Sequence, residues 1–348
     1  MKTIFENKSI LVTGGAGSIG SVIVEKLLNE CNPDQVRVFD QDEEAMFGMS
    51  RKFNQKPSIR LFMGDIRDKE RVNWAMRDVD FVFHTAALKH VALSEYNPFE
   101  AVKTNVLGTE NIVMAAIKNN VKKFINISTD KASIPFSTMG ASKLLAERIT
   151  AAANHYKGTS PTICASVRFG NVLASSGSVV PIFCDQILSG KAVTITDKRM
   201  IRYFMTINQA VELIFKATNI AKGGEVFILK MPALKIVDLA QVLIEEYAPL
   251  HNKKAQNIKI KEIGIRPGEK ITEELVTPLE SEYTLEMKEM YVIPPIVENP
   301  DLKLTAINKR IEYYLNLGAH QIDKKQLKSK NLLSKDQIKK LLKETKII

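Results

Sequence analysis

The chain has 348 residues, 45% of them hydrophobic and 25% charged, a balance that suits a packed core of one or two domains. No apolar run approaches the roughly 18 residues of a membrane-spanning helix, and the opening Met-Lys-Thr-Ile-Phe-Glu-Asn-Lys carries an acid and no long apolar stretch, unlike a secretion signal, so a cytoplasmic location is expected. The net charge of +10 invites a nucleic-acid reading, but residues 320–348 hold nine lysines against Asp323, Asp336 and Glu344, a net of +6, with no arginine or aromatic cluster beside them, so no nucleic-acid partner is expected.

Short β-rich apolar runs occur at 9–13, 35–39, 59–63, 81–85, 123–128 and 162–168, with helical patterns between them at 21–29, 101–118 and 139–156. Strands alternating with helices predict an α/β fold, a Rossmann-type doubly wound parallel sheet, with ligands beyond the carboxyl ends of the strands. After Arg168 the pattern loosens. Residues 207–219 and 237–247 read as helices, and 225–229 as a strand returning to the sheet. The domain reading is a dinucleotide-binding Rossmann domain over 1–170. A smaller C-terminal, substrate-binding lobe covers 171–205 and 230–315. A basic tail spans 320–348, where Ser334-Lys-Asp-Gln337 predicts a capping box opening a short amphipathic helix. Cys31, Cys164 and Cys184 are widely spaced and read as reduced, buried thiols; no metal-ligand pattern appears.

The first strand leads into Gly14-Gly15-Ala16-Gly17-Ser18-Ile19-Gly20 and then a helix. Glycines let the backbone turn tightly against a pyrophosphate, and the helix N-terminus offers free amides and partial positive charge. Gly14, Gly17, Ser18, Ile19 and Gly20 are therefore candidate cofactor contacts. Asp40 ends the second strand about 20 residues later, where a ribose is read. Its carboxylate repels a 2′-phosphate, which favours NAD over NADP. Arg37 faces the other side of its strand by parity, and Arg51 is the counter-argument.

Residues 128–143 read Ser-Thr-Asp-Lys-Ala-Ser-Ile-Pro-Phe-Ser-Thr-Met-Gly-Ala-Ser-Lys. Asp130 and Lys131 directly follow a strand end, where adjacent opposite charges tune each other's pKa. A desolvated lysine can act as a base near neutral pH, and a desolvated carboxylic acid can hold its proton. Lys143 follows Met139 by one helical turn, so both face one side.

Together with Thr85-Ala-Ala-Leu-Lys-His90, Asn97-Pro98, Asn105-Val-Leu-Gly-Thr109, Arg168-Phe-Gly-Asn171 and Arg266-Pro-Gly-Glu-Lys270, these segments resemble the extended short-chain dehydrogenase/reductases of polysaccharide biosynthesis. More narrowly, over residues 8–295, they resemble the soluble UDP-N-acetylglucosamine 4,6-dehydratases. Met139 stands where the superfamily signature Tyr-x-x-x-Lys has its tyrosine, and a thioether carries no proton.

The resemblance implies a sequence of steps: oxidation at sugar carbon 4, elimination of water across carbons 5 and 6, and hydride return to carbon 6, with NAD regenerated and tightly bound. It implies Lys131 as base at carbon 5, Asp130 as acid at carbon 6, Thr129 near the carbon 4 hydroxyl and Lys143 on the nicotinamide ribose. The acceptor for the carbon 4 hydroxyl proton stays open between Asp130, Lys143 and a water chain. Asp65 and Ile66 are implied near the adenine, and Ala86, Ala87, Asn105 and Ser128 along the rest of the cofactor. Lys89, His90, Asn171, Thr194, Thr196, Arg202, Arg266 and Glu269 are implied for UDP-N-acetylglucosamine. Helices 101–118 and 139–156 resemble those of a four-helix interface, which implies a homodimer or higher homo-oligomer. Two rival readings are a nucleotide-sugar 4-epimerase and a sensor or scaffold that binds dinucleotide without turnover.

Overall fold

A computed structural model describes residues 4–175, 177–295, 304–323 and 332–348. The chain first lays down β1 (Ser9–Thr13), β2 (Gln35–Asp40), β3 (Ile59–Met63), β4 (Phe81–His84), β5 (Lys123–Thr129) and β6 (Ile163–Phe169). Short β7 (Asn171–Val172), β8 (Val193–Ile195) and β9 (Ile201–Met205) leave the sheet, and β10 (Val226–Leu229) returns to pair in parallel with β6. β11 (Ala233–Lys235) and β12 (Ile260–Glu262) pair with β9 and β8. β13 (Leu285–Glu286), β14 (Met290–Ile293) and β15 (His320–Gln321) extend the far edge of the main sheet in antiparallel fashion. Among the described residues that sheet runs β15-β13-β14-β10-β6-β5-β4-β1-β2-β3.

Strand parity explains the two covered faces. Ile10 and Val12 of β1, Phe81 and Phe83 of β4, and Ile125 and Ile127 of β5 enter one core cluster. Their neighbours Leu11, Val82 and Phe124 enter another on the opposite face. Helix α1 (Ser18–Glu30) and a later helix, Ile207–Ile220, cover the first face through Ile23, Leu27 and Ile214. The second face is covered through Val72, Ala75, Ile112 and Ala116. The remaining helices of the sheet region are α2 (Glu43–Lys52), α3 (Lys69–Ala75), α4 (Val91–Tyr96), α5 (Pro98–Ala101), α6 (Gly108–Lys118) and α7 (Thr138–Tyr156).

The continuous helix expected over 101–118 is interrupted. A π-helical turn, Val102–Leu107, separates α5 from α6. The extra residue in the turn brings Asn105 inward. There its Oδ1 accepts from Leu88 N at 2.8 Å, and its Nδ2 donates to Leu88 O at 3.0 Å and Ser142 Oγ at 2.9 Å.

A separate core lies under the small sheet β11-β9-β7. It joins α8 (Val179–Leu188), α9 (Ile207–Ile220) being on the main sheet, with α10 (Ile236–Leu250). After α11 (Leu304–Asn316), the chain ends in α12 (Lys335–Glu344). Its predicted capping box forms: Ser334 Oγ accepts from Gln337 N, and Gln337 Oε1 accepts from Ser334 N. Ile338 and Leu342 are fully buried against the α10 core, and Lys339 pairs with Glu246 at 2.6 Å. The end of the tail thus docks on its own chain, while lysines 324–330 lie outside the described residues. Leu342→Ala is expected to cost about 2–5 kcal/mol in urea unfolding, and exposed Lys340→Ala about 0.5 kcal/mol or less. Equal effects would contradict this packing.

No helix among the described residues is long and apolar enough to cross a membrane. Cys31, Cys164 and Cys184 are free and buried, and burial pushes the Cys164 thiol up to about 12.

Candidate active site

The carboxyl ends of β1, β2, β4, β5 and β6 open on one cleft of about 860 Å³. Gly14 turns the chain out of β1 at φ +64, and a Cβ there would sit 2.6 Å from Ala86 N. Only a residue without a side chain lets the two strand ends approach so closely. Gly20 lies behind the loop, and its Cβ would meet Gly14 O. α1 starts at Gly17 with no side-chain cap, and Ser18 and Ile19 line the cleft. Uncapped helical amides beside a glycine turn fit a pyrophosphate.

Asp40 also lines the cleft. Its two oxygens accept from Ala16 N at 3.0 Å and Asp42 N at 3.2 Å, which fixes the carboxylate at the end of β2. Arg37 turns away, as parity requires, and donates to Ala75 O at 2.9 Å and Arg77 O at 2.5 Å. Arg51 is exposed on α2 and is not part of the cleft wall. Asp65 and buried Ile66 contribute to the wall; hydrogen bonds from Arg67 hold the Asp65 carboxyl below the usual range. Ala86 and Ala87 line it too. Asn105 does not: it stands behind Leu88 and braces the loop between β4 and α4.

Below that loop lies a group that local sequence did not mark. His84 is fully buried, with Thr13 Oγ1 2.7 Å from Nδ1 and Thr109 Oγ1 3.0 Å from Nε2. The Thr109 hydroxyl donates to Asn105 O at 2.7 Å, so it accepts from His84 Nε2–H, and Nδ1 accepts from Thr13. Burial first, then the nearby Lys143 charge, push the imidazole down to about 3. His84 is therefore a neutral brace.

The chemical end starts where β5 stops. Thr129 caps a 3-10 turn over Asp130–Ala132, and its hydroxyl donates to Asp130 Oδ1 at 2.9 Å. Lys131 Nζ donates to the same oxygen at 3.0 Å. Asp130 is fully buried, whereas Lys131 reaches the cleft wall. Ser128 Oγ and Asp130 Oδ2 are buried without a hydrogen-bond partner in the protein; Ser128 lines the cleft, and Asp130 stands behind its wall. Gly170, in the wall, packs against Oδ2: a Cβ there would lie 3.1 Å from it.

One expectation fails here. Burial does oppose the Lys131 charge, but the carboxylates of Asp130 and Glu273 outweigh it, so its pKa is raised rather than lowered. Glu273, on the segment after β12, was not marked by any local pattern; it comes within 3.7 Å of Lys131 Nζ through the fold alone.

Met139 and Lys143 share the wall one turn apart on α7. Lys143 Nζ donates to Ile127 O. Burial lowers its pKa to about 8, against the pull of Glu147. Below about pH 8 folding thus carries the cost of a buried ammonium. That cost fades as pH rises toward the ordinary lysine value of 10.5, because the unfolded chain then binds more protons. Wild type is expected to gain thermal stability relative to Lys143→Met across that window; parallel melting curves would contradict the lowered pKa.

Lys89, His90 and Asn171 also line the cleft. Thr194, Thr196, Arg202, Arg266 and Glu269 are not in its wall. Thr194 bonds Gln186, and Thr196 donates to Met200 Sδ. Arg202 gives its donors to the carbonyls of Ile201, Ile271 and Lys270. Arg266 is exposed in a loop whose backbone N–H donates to Glu269.

Residues 10–295 match the family model described as polysaccharide biosynthesis protein. A Methanocaldococcus jannaschii protein named as an uncharacterized membrane protein is 48% identical over 344 residues, 99% of this chain and 98% of its own. The UDP-N-acetylglucosamine 4,6-dehydratase (inverting) of Campylobacter jejuni is 42% identical over 299 residues, 86% of each chain. Relatives named UDP-glucose 4-epimerase in Rickettsia species match at 37–38%. The X-ray structure of Pen from Bacillus thuringiensis superposes with a TM-score of 0.88 at 42% identity, over 99% of this chain and 100% of that one.

Proposed function

Because the chain belongs to the polysaccharide biosynthesis family of extended short-chain dehydrogenase/reductases, whose named relatives are nucleotide-sugar dehydratases and epimerases, we propose that it is a UDP-N-acetylglucosamine 4,6-dehydratase. The observation that carries this reading is the hydrogen-bonded Asp130–Lys131 pair at the cofactor end of the cleft, beside Met139 and Lys143. An epimerization needs no second acid–base pair for carbons 5 and 6.

The cofactor assigned to the cleft is NAD, which when bound accepts hydride from carbon 4 and returns it to carbon 6. Asp40 takes the adenosine ribose hydroxyls and disfavours a 2′-phosphate, and the first turn of α1 takes the pyrophosphate. Lys143, with a pKa near 8, is suited to receive the proton of the carbon 4 hydroxyl that Met139 cannot take.

At rest the Asp130–Lys131 pair is ionic. Moving one proton from Lys131 Nζ to Asp130 Oδ1 along the 3.0 Å bond gives a neutral amine and a carboxylic acid. The amine then takes the carbon 5 hydrogen that the 4-ketone has acidified. The C5–H electron pair becomes the C5=C6 bond as C6–O breaks. Asp130 protonates the departing hydroxyl, water leaves, and the ion pair is restored. Once hydride is on carbon 6, the resulting enolate takes a solvent-exchanged proton at carbon 5 from Lys131, and the proton given up by the carbon 4 hydroxyl replaces it. Lys89, His90 and Asn171 are assigned to the sugar and diphosphate. Exposed Met114 and Leu145 on α6 and α7 support a homodimer through those helices.

The test is incubation with UDP-N-acetylglucosamine and NAD in deuterated water, followed by proton NMR. The expected product has lost one water, carries a new methyl at carbon 6 and deuterium at carbon 5, and shows its carbon 5 configuration directly. A carbon 4 epimer with no water lost would replace this reading with the epimerase. Unconsumed substrate in the presence of bound NAD would replace it with the sensor or scaffold.

A further inference from the structure

Residues 270–276 belong to the loop region after β12, yet they are fastened to the catalytic turn from several sides. Ser133 Oγ donates to Glu274 O at 2.5 Å, Arg168 Nη1 to Leu275 O at 3.1 Å, and Lys270 Nζ to Ile134 O. Ile201 N donates to Ile271 O at 3.0 Å, and Arg202 holds the same carbonyl and that of Lys270. A segment bound at so many points presents its side chains in fixed places. One of them is Glu273, 3% exposed, with Oε1 3.7 Å from Lys131 Nζ.

We propose that Glu273 is a positioning residue for the carbon 5 proton transfer: its carboxylate holds the Lys131 nitrogen in place and stabilises the ammonium that forms as Lys131 takes the proton. This rests on the dehydratase reading. The charged groups facing Lys131 are Asp130 from its own turn, Glu273 from the fastened segment and Arg202 from β9, whose like charge opposes the ammonium. Lys270 reaches Glu273 at 4.0 Å from within the same segment.

The elimination converts a neutral amine and a carboxylic acid into an ammonium beside a carboxylate. That charge-separated arrangement is the one the fold holds at rest. A second fixed anion near Nζ lowers its energy at rest and as the charge develops, so its help to proton removal is read in the plateau, where the amine is already neutral. Glu273 also explains why burial fails to free the Lys131 amine: two carboxylates act on one nitrogen.

The test has a readout that needs no substrate. Competitive acetylation of the purified protein across pH, read by mass spectrometry on the peptide holding Lys131, reports how much of that amine is neutral. Glu273→Gln is expected to label about tenfold more at a given pH than wild type, one pKa unit for one lost neighbouring charge. Carbon 5 deuterium exchange in the same variant is expected to fall about tenfold in its plateau, with its acid limb displaced to lower pH. Glu273→Asp, with a shorter reach, gives intermediate labelling and serves where the glutamine variant does not fold. A folded variant with unchanged labelling overturns the proposal, as does slower exchange with an unmoved acid limb, which marks a mere structural brace. A labelling shift in a protein that never removes water upholds the coupling of Glu273 to Lys131 and sinks the dehydratase reading instead.

Discussion

Lys131→Ala is expected to lower turnover of UDP-N-acetylglucosamine by about 10²–10⁴-fold and to abolish deuterium exchange at carbon 5, the range for loss of a positioned base. Lys131 reaches the cleft wall while its partner Asp130 is buried behind it, so the amine and not the carboxylate meets the sugar first. The variant separates the two halves of the reaction. Oxidation at carbon 4 draws on Lys143, whose bond to Ile127 O does not involve Lys131. Reduced cofactor is therefore expected to accumulate after one partial turnover, seen by its absorbance, while no water is lost. Wild-type exchange at carbon 5 in Lys131→Ala would assign the base elsewhere. Met139→Ala is expected to cost far less activity than Lys143→Ala, since the thioether moves no proton.

Arg168→Met is expected to cost about 3–5 kcal/mol in urea unfolding, the range for stranding buried carboxylates. Arg168 is fully buried on β6. It holds Glu147 of α7 through two bonds of 3.0 and 2.7 Å, and Glu280 through two of 3.1 and 3.0 Å. Removing the guanidinium leaves two anions facing each other without a counter-charge. The sign with pH follows. Burial works to raise the Glu280 pKa, but Arg168 outweighs it and holds it below the usual range. Its contribution is present above the unfolded glutamate pKa and is lost as pH falls through the lowered value. In the variant the stranded Glu280 carboxyl accepts a proton readily, so the deficit is expected to shrink between neutral and mildly acidic pH. Adding Glu147→Gln and Glu280→Gln is expected to restore much of the loss. A deficit that stays constant with pH would contradict this account.

What was legible in the chain was what short-range periodicity encodes. β1, the glycine turn and Asp40 announce themselves within the first 40 residues, because the turn, the uncapped helix and the strand-end carboxylate all follow from local chemistry. The Asp130–Lys131 pair was legible for the same reason, being adjacent in sequence at a strand end. Its protonation was not. That depends on Glu273, which only the folded chain brings near. The π-helical turn over Val102–Leu107 was equally hidden: residues 101–118 carry an ordinary helical pattern, and the displacement comes from Asn105 reaching the Leu88 backbone across the fold. Arg168 stood in a recognisable Arg-Phe-Gly-Asn segment, yet its two acidic partners come from distant parts of the chain.

The fastening of residues 270–276 to the catalytic turn has a consequence for traffic. With that side of the cleft bolted by Ser133, Arg168 and Lys270, the cleft cannot widen there without breaking several bonds at once.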